Sequence, residues 1–73
     1  MKIDYRSELE SKLKEFYDDK DYIGGVISNS INEIGWKKIL DFIRMAERNG
    51  DKIIASDILL LSVIIGDEID PQE

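Results

Sequence analysis

Asp18, Asp19 and Asp21 crowd three carboxylates into one short stretch, the arrangement by which a loop can hold a divalent cation. No glycine bends that stretch around an ion, so its simplest reading is a solvated turn. Catalysis would need an activated nucleophile with a base beside it, and the chain has no His and no Cys. Ser62 stands inside an apolar run, where a hydroxyl ordinarily bonds back to a helix carbonyl. Gly24-Gly25 lacks the flanking residues of a phosphate-cradling loop. Trp36, Lys37, Lys38, Arg44 and Arg48 could set a stacking ring beside a cationic strip for nucleic acid. Asp41 and Glu47 dilute that strip, and Trp36 is most simply a core or interface residue. No enzymatic activity, cofactor or metal is expected.

Two local resemblances fall between Ala46 and Ile64. Glu47, Asn49, Gly50, Asp51 and Ile54 occupy positions of an EF-hand-like calcium loop. Lys52 stands where that loop needs glycine, and Ile58 where it needs the bidentate carboxylate, so a helix-loop-helix without calcium is expected. Ala46, Gly50, Ile53-Ile54, Ser56-Asp57 and Leu59-Leu60-Leu61 together resemble the N-terminal repeat of Clp-type unfoldase ATPases. That resemblance implies adaptor or substrate binding rather than catalysis. Ile58 departs from the polar residue usual there, and the repeat's later helices are absent.

Charge is more informative than any motif. The net charge is −6, with +2 on residues 36–52 and −5 on residues 53–73, where no base occurs. Such a balance argues against general affinity for nucleic acid or an anionic membrane. The longest apolar run, Ile58 to Ile65, is far shorter than the roughly 20 residues of a membrane-spanning helix. The start, Met1-Lys2-Ile3-Asp4-Tyr5, has no apolar targeting segment, so a cytoplasmic location is the expectation.

These residues must be carried by helices. Leu9, Leu13, Phe16 and Tyr17 stripe one face of a helix over Ser7–Tyr17, with Ser7 and Glu10 in capping-box spacing. Ile23, Ile27, Ile31 and Ile34 predict a second helix over 22–34; Gly24-Gly25 and β-branching keep a short strand at Tyr22–Ile27 as the competitor. Gly35 reads as a stop, Trp36–Asn49 as the third helix, and Asn49-Gly50 as its cap. Ser56 predicts the cap of a fourth helix, 57–65, ended by Gly66, and residues 67–73 read as an acidic, frayed tail. Four short helices with short links predict an all-α, single-domain, up-and-down bundle over 1–73.

A small acidic chain of this kind is expected to be a non-enzymatic protein-binding module. Its target would be a basic, nucleic-acid-binding protein that it inhibits, as phage anti-defence and toxin-immunity proteins do. The acidic contacts expected are Asp18, Asp19, Asp21, Asp67, Glu68 and Asp70. The alternative is a homo-oligomeric structural or regulatory protein using the apolar fourth helix; a homodimer is expected in solution, with Leu60, Ile64 and Trp36 at the oligomer or partner interface. A DNA-binding regulator reading through helix 36–49 is third.

Overall fold

The computed structural model describes residues 4–69, in which four α-helices follow one another: α1 Tyr5–Leu13, α2 Lys20–Asn29, α3 Glu33–Asn49 and α4 Ala55–Ile69. No strand occurs among these residues, and the Tyr22–Ile27 stretch lies within α2. The expected all-α bundle of four helices is therefore present.

Polar caps account for the starts of α1, α2 and α3, whereas α4 begins at Ala55, so Ser56 lies inside it and is not the cap expected there. Asp4, not Ser7, opens α1: its carboxylate accepts from the Ser7 amide at 3.2 Å and the Ser7 hydroxyl at 2.9 Å. The hydroxyl bond, followed by the amide bond, holds the Asp4 carboxyl below the usual carboxylate range. After Leu13 the chain tightens into a turn, its carbonyl accepting from the amides of Phe16 and Tyr17, both at 2.9 Å. Phe16 and Tyr17 thus pack on the core from outside the helix predicted to carry them. Asp19 caps α2 by accepting from the Asp21 amide at 2.8 Å.

The expected second helix is shorter than its isoleucine stripe. It stops at Asn29, and Ser30 turns inward, its hydroxyl donating to the Val26 carbonyl at 2.7 Å. Ile31 follows in a left-handed conformation, φ 75°, which a β-branched residue adopts only under strain. Asn32 then caps α3, its Oδ1 accepting from the amides of Ile34 at 3.0 Å and Gly35 at 3.4 Å. Gly35 is consequently inside α3 rather than a stop. At the other end Gly50, φ 78°, closes α3 in the left-handed conformation expected of such a cap.

Gly66 does not end α4 either. The helix continues through Asp67 and Glu68 to Ile69, so those residues are helical rather than part of a frayed tail. Residues 70–73, the rest of that expected tail, lie outside the described residues. Both misread glycines serve a close approach. A Cβ on Gly35 would collide with the Ser30 carbonyl, and one on Gly66 with the Asn29 carbonyl. The C-terminus of α2 is thus touched by the backbones of α3 and α4.

The helices form a ring: α1 packs on α3, α3 on α4, α4 on α2, and α2 closes on α1. This differs from an up-and-down order, because the consecutive helices α2 and α3 are not side by side. The ring encloses Leu9, Leu13, Ile23, Val26, Ile27, Ile39, Leu40, Ile43, Ile58 and Ile65. No helix is central. α4 is therefore buried along one stripe only.

Candidate functional site

At 3.6 residues per turn, Ile58, Ser62, Ile65 and Gly66 fall on the inward side of α4, and all four are buried. Leu60, Val63, Ile64 and Asp67 fall on the opposite side. Of the apolar ones, Leu60 is 60% exposed, Val63 44% and Ile64 46%. Asp57 precedes Leu60 by three residues and Glu68 follows Ile64 by four, so both border the apolar stripe, and both are exposed. The outer face of α4 is therefore an apolar centre with carboxylates at its two ends.

Burial elsewhere explains why α4 can present this face. Ser62, the one polar residue of its apolar run, donates its hydroxyl to the Leu59 carbonyl at 2.6 Å and accepts from Asn29 Nδ2 at 3.4 Å. The Tyr17 hydroxyl donates to the Ala55 carbonyl and ties the α1–α2 link to the start of α4. Burial pushes the Tyr17 phenol above its ordinary pKa, with the Leu59 backbone pulling weakly the other way. The same ring stacks on Tyr22 at 5.8 Å between centroids.

Among the described residues, charge pairing lies on α1, α3 and the turn after α1. Lys12 meets Glu47 at 2.9 Å and Glu15 at 3.5 Å, Arg44 meets Glu8 at 2.8 Å, and Lys37 meets Asp41 at 3.0 Å. The Glu47 carboxylate, then those charges nearby, raises the pKa of Lys12; Asp41 raises that of Lys37. The groove between α1 and α3 is lined by Glu8, Lys12, Glu15 and Arg44, whose charges are already matched. Among the described residues, no ion pair involves α4.

The remaining expected residues fall in different places. Asp18, Asp19 and Asp21 are exposed, Asp18 on the α1–α2 link, Asp19 spent capping α2 and Asp21 in the first turn of that helix. Asp70 lies outside the described residues. Trp36 is half-buried against the core, and its indole N–H donates to the Ile27 carbonyl at 2.8 Å. Lys37 and Arg44 of the expected cationic strip are paired to carboxylates, whereas Lys38 and Arg48 are exposed on α3. Leu60 and Ile64 share the face described above. Val63 and Asp57 belong with them and were not singled out from sequence, although counting three and four residues from Leu60 and Ile64 finds both.

Among the described residues no group of three or more acidic side chains converges as a metal site. No helix among them is long and apolar enough to cross a membrane. The chain matches no protein-family model, no curated protein and no solved structure. The resemblance of residues 46–64 to the Clp-type repeat accordingly stays local. What the fold defines is a small all-α bundle whose α4 carries an exposed apolar face bordered by acids.

Proposed function

We propose that this chain is a non-catalytic binding module that occupies a basic surface on another protein and blocks it. The observation that supports this reading is the unbalanced charge of α4: Asp57, Asp67 and Glu68 are exposed and the helix carries no base. Asp67 and Glu68 sit in the last turn, where the helix dipole makes negative charge unfavourable, so they do not serve the fold. Negative charge held at a stability cost steers a positive partner and speeds its capture. Antagonists of nucleic-acid-binding proteins in phage anti-defence or toxin immunity, acting in the cytoplasm, are the type this specification suits.

A second reading, a homodimer through α4, is favoured by the exposure of Leu60, Val63 and Ile64. The two respond oppositely to salt. Association of the immobilised chain with a lysine- and arginine-rich protein should slow by at least tenfold between about 50 mM and about 500 mM salt, because the Debye length shrinks. A rate that is flat across that range would reject electrostatic capture. Light scattering over the same range measures self-association directly.

A further inference from the structure

The outer face of α4 combines two features that select its occupant. Leu60, Val63 and Ile64 form an exposed apolar centre, one helical turn deep. Asp57 lies before it and Asp67 and Glu68 after it, spanning about 16 Å along the axis at the α-helical rise.

The α4 of a second copy fits this face poorly. Two α4 helices meeting at Leu60 and Ile64 bring acids against acids at both ends, whether they run parallel or antiparallel. Neither α4 offers a base, since residues 53–73 contain none. Like charges in direct opposition cost affinity, and desolvating them costs more.

We infer that the outer face of α4 docks an amphipathic helix of a partner protein, with an apolar centre and Lys or Arg about three turns apart at its two ends. Leu60, Val63 and Ile64 supply the apolar contact, as in other complexes where a helix lies on a hydrophobic strip. Asp57 at one end, and Asp67 with Glu68 at the other, fix its position by pairing with the bases. The inference rests on the proposed function and adds which face acts and what shape of basic partner it accepts.

The test uses the full chain, isotopically labelled, and three synthetic peptides. One is helical with a leucine stripe flanked by lysines, the second has the same composition with its leucines scattered, and the third replaces the lysines by glutamates. The first peptide should shift the resonances of Asp57, Leu60, Val63, Ile64, Asp67 and Glu68. It should bind at least tenfold tighter than the scattered peptide, and the glutamate peptide should not bind. Leu60→Ser with Ile64→Ser, both exposed positions, should weaken binding tenfold or more with the helical circular dichroism unchanged. D67N with E68Q should slow association while leaving the melting temperature unchanged or raised, a combination that a purely structural role cannot produce. Equal binding of the striped and scattered peptides, with shifts on 18–21, would overturn the α4 assignment and leave the acidic-module reading standing. Binding of no basic peptide would overturn both. A salt-strengthened dimer with α4 shifts would give the face to a second copy.

Discussion

Gly66 and Asn29 show how much of this fold rests on single atoms. The missing side chain of Gly66 is the space into which the Asn29 carbonyl points, and Gly35 does the same for Ser30. Backbone atoms cannot swing aside as a side chain end can. Gly66→Ala and Gly35→Ala should therefore each cost about 2–3 kcal/mol, measurable by urea denaturation. Tyr17 is a second such position. Its ionised form is disfavoured in the fold, since burial lifts its pKa. Its contribution is therefore fully present below about pH 10 and is lost as pH rises through the raised value. Tyr17→Phe should cost about 1 kcal/mol at neutral pH, by loss of the bond to Ala55. The gap between the two proteins should close in alkaline titration of stability; a gap that widens above pH 10 would contradict it.

The glycines of α2 behave oppositely at the scale of the element. A Cβ on Gly24 or Gly25 would meet nothing within 4 Å, so these two residues only weaken the helix. Gly24→Ala and Gly25→Ala should each raise stability by about 0.5–1 kcal/mol, read as an increased melting temperature. This is also where sequence and structure part company. The existence of all four helices was legible, because apolar residues recur at helical spacing along α1 to α3 and an apolar run ends at Gly66 in α4. Their ends were not. A glycine that stops a helix and one that admits a neighbouring carbonyl are the same letter, and only the placement of Asn29 and Ser30 separates them. Asn32 caps α3 three residues before the Gly35 at which the sequence predicts a stop. The left-handed Ile31 had no signal at all, since its residue type argues against that conformation. For the candidate face, Leu60 and Ile64 were legible as apolar residues in excess of what a small core can enclose. Their grouping with Asp57 and Val63 needed the inward side of α4 to be known.

The whole molecule is a ring whose closing contacts join distant parts of the chain. Glu8 meets Arg44, Tyr17 meets Ala55 and Asn29 meets Ser62, separations of 36, 38 and 33 residues. Contacts this far apart slow folding relative to a bundle of sequential helical hairpins. They also leave no three-helix remainder with a closed core, because α4 covers both α2 and α3. A chain ending at Ile54 should lose most of its helical circular dichroism; one that keeps it with a cooperative melt would show that α4 is dispensable. During synthesis the ring has a further consequence. The ribosome delivers α1, α2 and α3 before the helix that seals them, so Ile23, Val26, Ile27 and Ile39 face solvent until α4 follows. The nascent polypeptide thus presents a greasy intermediate to chaperones, and a ribosomal pause within codons 55–69 would lengthen that exposure.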